Sequence, residues 1–291
     1  MWCFWLYLIL TLTATLLIVD LLIVILSYSM CWYEYANSAP QLVENRFTGK
    51  SLRLVGSVLL QEIFFNLLTV LVLPFGLLDP RRHPVNRGET PVLLLHGLFN
   101  NRASWFWVKR RLRRQGFNNI VTINLSSWHN EEVLTELVAK KVDELRHRLG
   151  VNQVHMVSHS MGGIIARNFI QLRGGAAKVD RCVFLGSPHL GSKLAPFALS
   201  PLGRILIPGS GFLHRLEQAP TPEGVKFINI YSRKDNMILP NSNACLPWGD
   251  AVELNGLGHT ALIYRKPALD AVVTALQGAV DTCTTNDQPV C

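Results

Sequence analysis

Charge is scarce in this chain. Only 16% of its 291 residues are Asp, Glu, Lys or Arg, where a soluble domain usually has about a quarter. No CxxC pair occurs among the six cysteines, so neither a thioredoxin-like site nor a zinc-knuckle reading has support. No zinc-finger spacing, RNP-like run or heptad-plus-basic pattern accompanies the net charge of +8. Nucleic acid is therefore not the expected partner of that charge, and an anionic membrane surface is. No Lys or Arg precedes Trp5, whereas a cleaved signal peptide wants a basic start and a shorter apolar core. No internal repeat or low-complexity tract appears.

What is abundant is apolar residues, at 49%, and the excess sits in the first eighty or so positions. Residues 5–26 are almost continuously apolar, long enough to cross a bilayer. Trp2, Trp5 and Tyr7 precede the core of this run, and Trp32, Tyr33 and Tyr35 follow it, as an aromatic belt would. Residues 54–78 form a second run, interrupted by Gln61, Glu62 and Asn66. It reads as a second span or as a helix lying in the interface. Residues 1–80 are thus expected to be a membrane anchor region with one or two transmembrane helices. Asp20 and Glu62 lie inside these runs, either as a proton or partner site or simply facing the other helix. Arg46, Lys50 and Arg53 on one side balance Arg81, Arg82 and Arg87 on the other, so the side of the membrane stays open, as does the oligomeric state. The anchor is expected to serve location rather than chemistry, leaving a fragment from about Arg81 able to act on short soluble esters.

Residues 81–90 are polar, with Pro and Gly, and read as a linker. From Pro91 the pattern changes to short apolar runs alternating with amphipathic stretches. Strands are expected at Val92–Leu95, Ile120–Leu125, Val154–Ser158, Cys182–Leu185, Val225–Tyr231 and Ala251–Leu254. Helices are expected at Ala103–Gln115, Glu131–Leu149, Met161 to about Leu172, and Pro267–Leu276. Such alternation implies βαβ units and a mostly parallel sheet of about six strands in one α/β domain over residues 91–280, followed by a tail at 281–291. Cys182 reads as a buried thiol. Cys245, Cys283 and Cys291 could include a disulfide that spacing cannot pair.

Four segments carry chemistry. The apolar strand at Val154 runs into Ser158-His159-Ser160-Met161-Gly162-Gly163 and then a helix, the context of a nucleophile elbow with Ser160 at its apex. Ser158 stands where such elbows usually have Gly, and is still small. The strand at Val92 ends in His96-Gly97-Leu98, where a loop amide can stabilise an oxyanion. Leu98 is the expected donor, Met161 after the nucleophile the second, and His96 a structural support. Asp235 follows the strand ending near Tyr231. His259 lies on the loop after the next strand. A serine needs a base to take its proton, and the base needs an acid to hold its tautomer. Asp250 and Glu253 compete with Asp235 for that last role. Residues 192–224 are rich in Leu, Ile and Phe and read equally as an acyl-chain cap or as packing on the sheet edge. Lys109, Arg110, Arg111, Arg113 and Arg114 read as a solvated helix face more readily than as a membrane contact.

Together these pieces resemble the small bacterial triacylglycerol lipases and esterases of the α/β-hydrolase superfamily, from about Pro91 to Leu276. HGL at 96–98, SHSMGG at 158–163, GSPHLGS at 186–192, PGSGFLHRL at 208–216, SRKDNMILP at 232–240 and GLGHTAL at 256–262 carry the likeness. It implies an α/β-hydrolase fold with Ser160, Asp235 and His259 as triad and Leu98 and Met161 as oxyanion amides, while the two N-terminal apolar segments lie outside it. It also implies ester hydrolysis with no cofactor and no metal; the apolar segments, not the likeness, point to lipid or acyl esters at a membrane, here a bacterial inner membrane. An acyltransferase or thioesterase would use the same residues, and a non-catalytic membrane interaction module would keep the fold alone.

Overall fold

The computed structural model describes residues 2–38, 48–78 and 86–278. The tail at 281–291, Arg46, Arg81, Arg82, Cys283 and Cys291 lie outside them. Six strands occur, β1 (Val92–Leu95), β2 (Ile120–Ile123), β3 (Val154–His159), β4 (Val179–Leu185), β5 (Lys226–Ser232) and β6 (Asp250–Leu254). They form one sheet in the order β2-β1-β3-β4-β5-β6, with each neighbouring pair parallel. From β1 the chain moves to one side for β2 and to the other for β3. A crevice therefore opens at the carboxyl ends of β1 and β3, where such sheets bind ligands. Leu95 pairs with Ser158 at that edge.

Side chains alternate along each strand and feed two cores. Leu93 and Leu95 join Met156 and Phe184 against α4 (Glu131–Leu149) and α5 (Met161–Arg167). Val92 and Leu94 join Val157, Val183 and Ile228 on the other face, with α3 (Phe106–Arg114) and the final helix. Helix α4 shows why the local sequence folds as it does. Asn130 caps it by accepting from Val133 N–H at 2.9 Å, Glu131 and Glu132 sit in its first turn, Arg146 to Arg148 in its last, and Gly150 ends it at φ 67°. Each arrangement favours the helix dipole or its termini.

In the 192–224 stretch, α6 (Pro201–Ile205) and α7 (Gly211–Gln218) send Leu202, Phe212, Leu213 and Leu216 into the core beside α5. Packing accounts for these positions, while Phe197 and Leu199 stay exposed. The closing helix is α8 (Lys266–Gln277). Arg111 of α3 pairs with its Asp270 at 2.6 Å, and Trp105 is buried, as a solvated basic face over an aromatic core requires. Cys182 is a buried free thiol, and Cys245 is disulfide-bonded.

Two helices precede the sheet, α1 (Trp2–Ser38) and α2 (Gly49–Val72), the second running on into a 3-10 turn at Leu73–Gly76. Both are long and apolar enough to cross a membrane, with mean hydropathies of 2.7 and 2.0. Helix α1 outruns its apolar segment because its second half meets the domain. Val24 and Ser27 are buried, the Tyr28 hydroxyl donates to Lys234 O at 3.1 Å, and Glu34 pairs with Lys193 at 2.5 Å. From Glu62 onward α2, and the turn after it, lie against the domain. Asn101 donates to Leu73 O at 2.7 Å and Asn124 to Gly76 O at 3.1 Å. These contacts bear on the expectation that the segments serve location more than chemistry.

Candidate active site

Ser160 sits between β3 and α5 with φ 54° and ψ −128°, a strained conformation for a non-glycine residue. The sequence around it tolerates the sharp turn because its neighbours leave room. A Cβ on Gly162 would lie 2.5 Å from Leu95 O, and one on Gly163 would lie 2.0 Å from Ser187 Oγ. Ser158 is fully buried, and its hydroxyl donates to Val183 O at 3.3 Å. Its place is therefore in the packing of β3 on β4.

The His96–Leu98 loop runs directly against this turn. A Cβ on Gly97 would meet Ser160 Cβ at 3.0 Å. Phe99, at φ 55°, spends its N–H on Ser127 Oγ at 2.8 Å. Among the described residues neither Leu98 N–H nor Met161 N–H donates a hydrogen bond. Leu98 N–H is thus available in the loop, and Met161 N–H at the first turn of α5, where helical amides lack partners. His96 supports the loop. It accepts from Leu125 N–H at Nε2, 2.8 Å away, which leaves Nδ1–H to donate to Gly97 O at 2.9 Å. Burial pushes it down to about 4, so it stays neutral.

The loops after β5 and β6 bring Asp235 and His259 together. Asp235 Oδ2 lies 2.7 Å from His259 Nδ1, both groups buried. The other carboxylate oxygen accepts from Met237 N–H at 2.8 Å and Ile238 N–H at 3.0 Å. The acid is thereby fixed, and His259 holds its proton on Nδ1 with Nε2 free as a base. Burial disfavours the imidazolium, but Asp235, with Glu62 behind, more than offsets it and holds His259 above its ordinary 6.5. The rival acids are elsewhere. Glu253 pairs with Arg233 at 2.9 Å, and Asp250 opens β6 at the far edge of the sheet. No hydrogen bond joins Ser160 Oγ to His259, and bonds of this kind are often long before the reacting complex forms.

Several residues of the site were not singled out in the sequence. Gly186, at φ +50°, makes room for the pair, since a Cβ there would lie 3.0 Å from Asp235 Oδ2 and 3.5 Å from His259 Nδ1. Asn236 accepts from His259 N–H at 3.2 Å and donates to Ser27 on α1 at 2.8 Å. The His159 ring lies 4.6 Å from that of His259. Burial, and the nearby His259, hold it well below 6.5. Arg167, at the end of α5, is buried and donates to His189 O at 3.0 Å and Leu216 O at 3.2 Å, tying α7 to the helix that follows Ser160. Its signal was a lone Arg in an otherwise apolar helix. An open cavity lined by Arg181, Lys226, Trp248 and Asp250 lies at the opposite, amino-terminal edge of the sheet and holds none of these groups.

Comparison with known proteins agrees with this architecture. A family described as alpha/beta hydrolase fold matches residues 90–205. The mature lipase BlEst2 of Bacillus licheniformis superposes with a TM-score of 0.57 at 21% identity, covering 68% of this chain and 95% of that one. The fold is that of the α/β-hydrolases. In sequence, this chain is 26% identical over 128 residues to the sn-1-specific diacylglycerol lipase ABHD11 of Xenopus laevis, covering 43% of this chain and 36% of that protein. It is 26% identical over 110 residues to the triacylglycerol lipase of Pseudomonas fragi, covering 36% of each. The match thus spans just over a third of the length of these curated relatives.

Proposed function

We propose that this α/β-hydrolase is a membrane-anchored serine hydrolase that cleaves carboxylic esters, with lipid or acyl-ester substrates, through an acyl-enzyme. The observation that carries the reading is the Asp235–His259 bond at 2.7 Å, set at the same sheet edge as the strained Ser160 turn. Ser160 Oγ attacks the ester carbonyl and passes its proton to His259 Nε2. The carbonyl electron pair moves onto oxygen, between Leu98 and Met161 N–H. The tetrahedral species collapses, the alkoxide leaves, and the proton on His259 goes to it, releasing an alcohol. Water then repeats the sequence on the acyl-enzyme and releases the acid. Two amides aimed at the developing charge contribute several kcal/mol, by analogy with about 2.7–4 kcal/mol for one such donor.

The apolar first half of α1 supports a bilayer location. From Phe4 to Ile23 the described side chains other than Asp20 are exposed, and at about 1.5 Å per residue such a length covers roughly 30 Å of hydrocarbon. The test is labelling of the detergent-solubilised protein by a fluorophosphonate. Labelling is expected in the parent and in Ser158→Ala, and absent in Ser160→Ala. A folded Ser160→Ala protein that labels and turns over ester like the parent overturns the proposal.

A further inference from the structure

Helix α2 carries a carboxylate onto the catalytic face. Glu62 is fully buried. Its Oε2 accepts from Thr260 N–H at 2.9 Å and its Oε1 from Ala261 N–H at 2.8 Å. These are the two residues that follow His259 and open the 3-10 turn Thr260–Ile263. One turn further along α2, Asn66 Oδ1 accepts from the Thr260 hydroxyl at 2.6 Å, and Phe65 stacks on Tyr264 at 4.9 Å. Another turn on, the Thr69 and Tyr264 hydroxyls meet at 2.6 Å. Positions 62, 65, 66 and 69 follow the i, i+3, i+4, i+7 spacing of one helix stripe. The approach is close enough to need a glycine opposite, since a Cβ on Gly258 would lie 2.2 Å from Glu62 Cγ.

Anchoring alone does not call for an acid here. A buried carboxylate loses its hydration, which costs several kcal/mol unless its bonds are remade, and here the two amides that follow His259 remake them. No Lys or Arg among the described residues bears on Glu62. Its oxygens are held instead by the backbone amides of Thr260 and Ala261, next to His259. Two backbone donors, one on each oxygen, fit a carboxylate and not an amide, because the amide nitrogen of a glutamine would face an N–H.

We propose that Glu62 is a positioning residue of the active site. By clamping Thr260 and Ala261 N–H it fixes the backbone that carries His259, and it sets a second carboxylate behind the imidazolium formed when Ser160 gives up its proton. The inference rests on the serine-hydrolase reading. Facing His259 are Asp235 from the loop after β5, His159 from β3 and Glu62 from α2, with Tyr28 and Cys31 of α1 next to Asp235.

The experiment uses the full chain in detergent micelles and a short soluble ester. In Glu62→Gln, kcat is expected to fall about 100-fold, the scale of a small misplacement of a catalytic group, while KM stays within about twofold, a KM-against-kcat split that marks lost transition-state interaction. The acid limb of the kcat/KM profile is expected to move to lower pH, since one carboxylate near the imidazolium is gone. Glu62→Asp keeps the charge and is expected to restore the parental limb and part of the rate. A folded Glu62→Gln protein with parental kcat and parental limb overturns the inference, and so does a loss with the limb unmoved in both variants. Should the variants fail to fold, hydrogen exchange in the parent decides it. Slow exchange at the Thr260 and Ala261 amides supports the clamp, and fast exchange there overturns it. Absence of Ser160-dependent labelling in the parent would instead remove the hydrolase reading, while the exchange result still reports on the clamp.

Discussion

At the scale of single residues, the decisive choice is which acid serves His259. Asp235 is bonded to Nδ1 and pinned by two backbone amides, whereas Asp250 begins a strand at the other sheet edge. Asp235→Asn is expected to lower kcat by about 10⁴-fold, as loss of the tautomer-holding acid does in serine proteases. Asp250→Asn is expected to leave kcat near the parent. If Asp250→Asn proves the crippling change, the assignment is wrong. The raised His259 value adds a sign. The proposed mechanism needs neutral Nε2, so the acid limb of kcat/KM is expected above 6.5, the ordinary value, and at lower pH in Asp235→Asn. Stability runs the other way. A group raised on folding contributes fully below its unfolded value and loses that contribution as pH rises through the folded one. The His259–Asp235 pair therefore stabilises the acid side while activity grows on the alkaline side.

At the scale of elements, what was legible in the sequence followed local periodicity. The strand at Val92–Leu95 was read to the residue, and α4 likewise, because its cap, charge ends and Gly150 are all local signals. Ends shifted where tertiary packing decides. β4 begins at Val179, three residues earlier than its apolar core suggests, and α3 is preceded by a 3-10 turn at Arg102–Trp105. The candidate triad order and the elbow were legible because each residue follows its own strand. The role of Glu62 was not, since it and Thr260 are 198 positions apart, and the polar stripe of Glu62, Asn66 and Thr69 marks a face of α2 without saying what it meets. Arg167 belongs to the same class. It donates to two carbonyls from buried surroundings, and burial lowers it to about 10. Arg167→Met is expected to destabilise the fold by about 1–3 kcal/mol, because those buried carbonyls lose a partner. Thermal unfolding in detergent measures it, and an unchanged midpoint would show that α7 is held to α5 by apolar packing alone.

At the scale of the whole molecule, the contacts of the two N-terminal helices redraw the division between anchor and enzyme. Treating residues 1–80 as an independent anchor leads to a fragment from about Arg81 that works on soluble esters. The structure argues for a different cut. Such a fragment leaves Thr260 and Ala261 N–H without Glu62 and Asn101 and Asn124 without their carbonyls on the turn after α2. It also strips Tyr264 of Phe65. Each buried polar group left unpaired costs about 1–3 kcal/mol, against a total stability of only about 5–15 kcal/mol for a typical domain. A chain starting near Val24, by contrast, removes most of the exposed apolar stretch of α1 and keeps Ser27, Tyr28 and Glu34 on the domain. It is expected to leave the membrane more readily, to hydrolyse a short soluble ester within a few-fold of the parent, and to slow on bilayer-resident esters because the anchor no longer concentrates it there. The chain starting near Arg81 is expected to be insoluble or inactive on the short ester. Parental rates from that shorter chain would mean that α2 leans on the catalytic loops without shaping them, and the single unit of helix hairpin and hydrolase sheet would come apart into two.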